Sequence, residues 1–177
     1  MSRAQGLSRE YLMERLAYDA EAGTFAWRHD VRLKTGWLRV AAGTRAGSAH
    51  PRGYRQIQIW IDGKPIGIKE HRLAWLFVHG EWPADQLDHI NGDRADNRIA
   101  NLRPANNSLN MANRKLNANS KSGVKGVCWH KGSKRWRARL QYNGKRIHLG
   151  DFLNKEAAQI AYEAAAKRHF GEYARTK

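Results

Sequence analysis

Residues 117–123 (Asn-Ala-Asn-Ser-Lys-Ser-Gly) form a run of turn formers with no apolar anchor, and the chain changes character across it. Residues 1–119 carry 18 basic and 12 acidic side chains, net +6, whereas residues 120–177 carry 14 and 4, net +10. A chain of 177 residues can hold one domain or two small ones. The break points to two, residues 1–117 and 123–177, joined by a linker at 118–122. With 41% hydrophobic residues and seven Trp there is material for packed cores, so this is not a disordered polycation. The overall charge of +16 concentrates polyanions around the protein and makes nucleic acid the leading partner.

Other classes are less well served. Cys128 is the only cysteine, which excludes an internal disulfide framework and a Cys-rich zinc site. The N-terminal residues are too polar for a signal peptide, and no apolar run reaches membrane-spanning length. The expectation is a cytoplasmic protein with no membrane association and no obligatory protein partner.

The first stretch opens with a short helix capped by Ser8, with Leu12 and Leu16 one turn apart. Residues 24–28 form a plausible strand. Residues 54–61 alternate, with Ile57, Ile59 and Ile61 on one face. Asp62-Gly63 then signals a hairpin, with residues 64–70 as the return strand. Residues 71–79 read as a buried helix ending at Gly80, and residues 31–52 carry no clear pattern. In the second stretch, residues 126–130, 136–142 and 145–149 read as three strands, the last two joined by Asn143-Gly144. A helix follows at 155–170, capped by Asn154 and stopped by Gly171. Six alanines at 157, 158, 161, 164, 165 and 166 would let it lie close to the sheet.

The most unusual chemistry lies in residues 88–110: Asp88-His89-Ile90-Asn91-Gly92-Asp93, then Asn97-Arg98, Asn101-Leu102-Arg103 and Asn110. Phosphodiester hydrolysis needs a base to activate water and a hard cation to neutralise charge on the leaving oxygen. Imidazole suits the first task and Asp or Asn oxygens the second. Asp93, Asp96 and Asn97 lack the spacing of a calcium loop and read as turn residues. These residues resemble the HNH (ββα-metal) nuclease signature in its His-Asn-Asn form, as in phage homing endonucleases. Tyr18-Asp19-Ala20-Glu21-Ala22-Gly23 and His71-Arg72-Leu73-Ala74-Trp75 are also similar to segments of these enzymes. The resemblance implies His89 as general base and Asp88 and Asn110 as ligands of Mg²⁺ or Mn²⁺. It implies Asn101 as the central Asn that braces the hairpin and orients the base, with His71, Arg72 and Asn97 in supporting roles. Asn110 stands where many relatives have a third His, and an amide oxygen favours Mg²⁺ or Mn²⁺ over Zn²⁺. His71 by itself reads as a buried structural histidine.

Between residues 122 and 148 there are eight Lys/Arg and no acidic residue. Strand alternation would turn Trp136, Ala138, Leu140, Ile147 and Leu149 toward the helix and leave Arg137, Arg139, Gln141, Arg146 and His148 outside as a DNA-reading face. Residues 122–174 resemble the DNA-binding domain of plant ethylene-response factors. The resemblance rests on Gly126-Val127, Arg135-Trp136-Arg137-Ala138, Gly144-Lys145, Leu149-Gly150-Asp151-Phe152, Glu156-Ala157-Ala158 and Ala161-Tyr162. The outward Arg and Trp set of the plant proteins is not retained position for position.

The expected fold class is α+β: an N-terminal ββα-metal nuclease region with a hairpin scaffold, and a C-terminal three-stranded antiparallel sheet packed on one helix. The expected function is metal-dependent endonuclease action on double-stranded DNA, of the homing type, encoded by a phage or mobile element and acting in the bacterial cytoplasm. Two rivals are a non-catalytic DNA-binding regulator derived from such a nuclease and an RNA-binding or ribosome-associated protein. Intact Asp88, His89 and Asn110 argue against the first, and the motif order does not support the second.

Overall fold

The computed structural model describes residues 7–32 and 38–176 and shows an α+β protein of short helices and small sheets. Two compact units divide it, Met1–Pro104 and Ala105–Lys177. Among the described residues, no helix is long and apolar enough to cross a membrane.

In the first unit, α1 (Arg9–Arg15) begins at Ser8, whose hydroxyl accepts the Tyr11 N–H at 3.1 Å, satisfying one of the amides a helix start leaves unpaired. Leu12 and Leu16 are fully buried. β1 (Leu16–Asp19) and β2 (Thr24–Trp27) pair antiparallel, and the Asp19 carboxylate accepts the Glu21 and Ala22 N–H groups in the turn. The weakly patterned stretch supplies β3 (Val31–Arg32) paired with β4 (Leu38–Val40), and the short β5 (Ser48–Ala49). β5 is the edge of a three-stranded antiparallel sheet with β6 (Arg55–Ile61) and β7 (Lys64–Lys69). Asp62 and Gly63 both have positive φ, 49° and 74°, as the two-residue hairpin turn requires. α2 (Glu70–His79) ends at Gly80 with φ 84°. The return strand therefore stops one residue earlier than expected, because Glu70 turns inward to an arginine instead of continuing the ladder. Ile57, Ile59 and Ile68 from the sheet, Leu73, Leu76 and Phe77 from α2, and Phe25 from β2 share one core. β8 (Gln86–His89) and β9 (Leu102–Ala105) then pair.

The second unit starts with α3 (Asn107–Asn113), capped by the Asn106 side chain on the Leu109 N–H at 3.0 Å. β10 (Val127–His130), β11 (Arg135–Tyr142) and β12 (Lys145–Phe152) form an antiparallel sheet in that order. α4 (Lys155–Phe170) packs on it, with Asn154 accepting the Ala157 N–H at 2.8 Å. Its buried residues, Ala158, Tyr162, Ala166 and Phe170, recur every four positions and make one stripe. The small residues in that stripe permit close approach. At Gly126, φ +69°, an added Cβ would run into the Tyr162 ring.

The turn-rich run at 117–123 lies inside this second unit, not at its edge. Ala112 of α3 is buried in the same core as Val127, Leu140 and Phe170. The Lys125 ammonium ties the two ends together, donating to the carbonyls of Ala112, Arg114 (2.7 Å) and Arg175 (3.3 Å). An apolar helix face and a half-buried cation outweigh a change of surface charge in deciding where compactness breaks.

Candidate active site

β8 carries Leu87, Asp88 and His89 into buried positions at its C-terminal end. The loop that follows is built from side-chain turns. Asn91 accepts the Asp93 N–H at 2.8 Å, and Asp93 accepts the Ala95 N–H at 2.9 Å. Gly92, φ +72°, donates to the His89 carbonyl at 2.8 Å. Short polar side chains bonding two residues ahead hold a tight loop without regular structure. Asn101 braces it. Its Oδ1 accepts the Asn91 N–H at 3.0 Å, and its Nδ2 donates to Asn91 Oδ1 at 3.1 Å and to the Asp96 carbonyl at 2.8 Å.

The group that meets the His89 ring is Asn97, with Oδ1 3.3 Å from Nε2. Asn97 is almost fully buried and its Nδ2 donates to Glu70 Oε2 at 3.1 Å. Because Nδ2 faces a carboxylate, Oδ1 is the atom turned to His89. A carbonyl oxygen only accepts, so Nε2 carries the proton and Nδ1 is the basic nitrogen of neutral His89. Glu70 is fully buried at the start of α2, with Arg55 Nε 3.1 Å from Oε1. Burial pushes the Glu70 carboxyl up, against the pull of Arg55, Arg45 and the Asn97 amide. The Asn97 backbone is held from β1, where the Tyr18 hydroxyl donates to its carbonyl at 2.7 Å. An added Cβ at Gly23 would strike the Asn97–Arg98 peptide. That close approach accounts for the Tyr18–Gly23 segment as part of the site's support.

Asp88 is gripped by Arg103 of β9, whose Nε and Nη2 each donate to Oδ2 at 2.9 Å. His71 of α2 sets its ring 5.1 Å from His89 and 5.2 Å from Tyr54. Burial, then the His89, Lys69 and Arg72 charges, push the His71 pKa down to about 3, and its Nδ1 has no hydrogen-bond partner among the described residues. It is a neutral buried ring. Burial also lowers the His89 pKa, opposed by Asn97, Asp88, Asp93 and Asp96. Arg72 donates to the carbonyls of Pro83 and Asp85 at 3.1 and 3.2 Å.

The sequence expectation that Asn101 orients the base divides in two: Asn101 braces the loop and Asn97 faces the imidazole. Sequence patterning alone assigns no role to Glu70, Arg55 or Arg103. The available signals are an acid beside His71 at the head of the apolar helix segment and the arginine closing Asn101-Leu102-Arg103. Among the described residues no group of three or more His, Cys, Asp or Glu side chains could hold a metal. The Asp88 carboxylate is an oxygen donor of the kind that suits a hard cation keeping several waters. Asp88 belongs to the first unit and Asn110, on α3, to the second.

In the second unit the expected outward residues of β11 share one face, but Arg137 is already paired. Its Nε and Nη2 each lie 2.6 Å from the Asp151 carboxylate. A bulge between Ala138 and Arg139 sets Arg137 opposite Asp151 and Arg139 opposite His148. Gln141 pairs with Arg146, and Gln141, Arg146 and His148 are exposed. Trp136 packs partly against the core, beside the exposed Trp129.

Residues 69–112, which hold Glu70, Asp88, His89, Asn97, Asn101 and Asn110, match the family described as HNH endonuclease. The chain is 29% identical over 106 residues to an uncharacterized HNH endonuclease of Acanthamoeba polyphaga mimivirus, 59% of this chain and 54% of that protein. A solved structure of DNA binding and cleavage by the HNH homing endonuclease I-HmuI aligns at 21% identity and a TM-score of 0.39, over 56% of this chain and 51% of that one. Protein 3.8 of Escherichia phage T7 is 31% identical over 111 residues, 60% of this chain and 88% of the phage protein. With most of the phage protein's length matched, the chain belongs to one family with Protein 3.8 and carries an HNH endonuclease domain.

Proposed function

We propose that this protein is a divalent-metal-dependent DNA endonuclease of the homing type, carried by a phage or mobile element and acting in the cytoplasm of the bacterial host. The observation that carries the reading is His89, buried beside Asp88 within the family-matched segment, its Nε2 turned to Asn97 Oδ1. On that tautomer Nδ1 is the atom that would accept a proton from the attacking water. Asp88 and Asn110 would hold Mg²⁺ or Mn²⁺, which when bound neutralises charge on the leaving oxygen. Asn101 keeps the loop in shape, while Asn97 and Glu70 hold the imidazole in its tautomer. Cleavage on this reading leaves 5′-phosphate and 3′-hydroxyl ends. The second unit serves as a recognition module like the DNA-binding domain of ethylene-response factors. Arg139, Gln141, Arg146 and His148 face DNA there, and Arg137 joins them only by sharing or leaving Asp151.

Plasmid DNA incubated with the protein tests this directly. Cleavage is expected with Mg²⁺ and none with EDTA. His89→Ala should abolish cleavage with DNA affinity nearly unchanged. Asp88→Ala and Asn110→Ala should lose it with partial recovery at high Mn²⁺. DNA binding without metal-dependent cleavage by the wild-type protein would replace the enzyme by a DNA-binding regulator.

A further inference from the structure

Cations gather around Tyr54 in the first unit. Lys69 Nζ lies 4.5 Å from the centroid of the Tyr54 ring and Arg94 Cζ 4.9 Å from it. Arg94 is steered there by donating to the Arg52 carbonyl at 2.9 Å, across the turn that Gly53 makes with φ +82°. Lys69 is depressed by burial first and then by the charges of Arg52, Arg72 and Arg94, which lie within electrostatic reach of its ammonium. Of the carboxylates of this region, Asp88 is engaged with Arg103, Glu70 with Arg55 and Asp96 with Arg98, while Asp93 accepts the Ala95 N–H. Among the described residues, none of the four cations has an ion-pair partner. Like charges held near one another repel, and more strongly beside protein than in open water. A fold that keeps two of them on one aromatic ring, with others nearby, makes a place that favours an anion. The Tyr54 ring is 6.1 Å from that of His89.

We propose that Lys69 and Arg94, arrayed on Tyr54, form with the neighbouring Arg52 a platform that binds phosphodiester groups of the DNA strand beside His89. This rests on the nuclease reading above and adds to it a substrate-holding surface separate from the second unit. Guanidinium forks match phosphate oxygens and ring-stacked cations stay oriented, whereas the compact ammonium of Lys69 contributes as a point charge.

The experiment measures binding of a short duplex across a salt series. The full chain carries His89→Ala so that nothing is cut. Arg52→Gln, Lys69→Gln and Arg94→Gln are added singly and together, and Lys64→Gln removes a charge at the exposed β6–β7 turn. Each platform cation removed should make the slope of log K against log salt shallower by about 0.9, with Lys64→Gln leaving it unchanged. Circular dichroism checks folding, and the single variants carry the test if the triple one unfolds. An unchanged slope in the folded variants overturns the platform, as does an equal change in Lys64→Gln, which would mean a diffuse field. Metal-dependent cutting by the wild-type chain is scored separately. Its absence alongside the expected slopes would overturn the nuclease reading and leave a nucleic-acid site, whereas normal cutting with unchanged slopes would do the reverse.

Discussion

Asn97 stands between an acid and a base, donating from Nδ2 to Glu70 at 3.1 Å and presenting Oδ1 to His89 Nε2 at 3.3 Å. Its amide can satisfy both neighbours in only one orientation, so the carboxylate on α2 decides which nitrogen of His89 holds the proton. Asn97→Ala should lower the cleavage rate by about 10- to 100-fold with DNA affinity nearly intact, the range typical of residues that orient a ligand from behind. Asn101→Ala should lower the melting temperature as well, because three hydrogen bonds of the loop go with it. Rates and melts of the two variants separate the roles; equal melting losses with equal rates would erase the distinction.

Glu70 is fully buried against Arg55, so removing it leaves the guanidinium without its counter-charge. Glu70→Ala should cost about 3–5 kcal/mol in urea unfolding, the range for breaking one side of a buried pair. Gly47→Ala should be destabilising through the same carboxylate. A Cβ there would collide with Glu70 Oε1, at a backbone φ of +86° that disfavours alanine. A Glu70→Ala loss below about 1 kcal/mol would mean that the pair is not buried in solution.

Lys125 gives the second unit a pH dependence. Burial first, then Arg175 and Arg114, lower its pKa to about 8. Below that pH the ammonium is charged both folded and unfolded, and its desolvation opposes folding in full. Between about 8 and the ordinary value of 10.5 the folded protein gives up the proton first, so stability at this position rises with pH. Relative to Lys125→Met, the wild-type unfolding midpoint should climb between pH 7 and pH 10. A constant difference between the two proteins would contradict it.

Residues 105–177 should fold alone and bind duplex DNA without cutting it, since they lack Asp88 and His89. Residues 120–177 should be less stable, because they lose buried Ala112 and two of the three carbonyls that receive Lys125. Thermal melts of the two fragments decide between a boundary at 104–105 and one at 118–122. Equal stability would favour the second.

Local rules made much of this chain legible in its sequence. Ser8 and Asn154 capped the helices where expected, Asp62-Gly63 and Asn143-Gly144 made their turns, and α4 ran from Lys155 to Phe170. Each depends on side chains bonding or packing within a few positions, and so does the close spacing of Asp88, His89 and Asn101 along one hairpin. Long-range partners were not legible. Nothing in the spacing says that Glu70 lies against Asn97, 27 residues on, that Tyr18 fixes Asn97 from 79 residues away, or that a β-bulge brings Asp151 onto Arg137. Nor does the charge shift at 117–123 reveal that α3 is buried with the C-terminal core. The sequence determined the chemical groups and their local turns, because those are set by backbone sterics and near neighbours. Only the tertiary structure decided which nitrogen of His89 is basic and which arginines are already paired, because burial and distant partners set both.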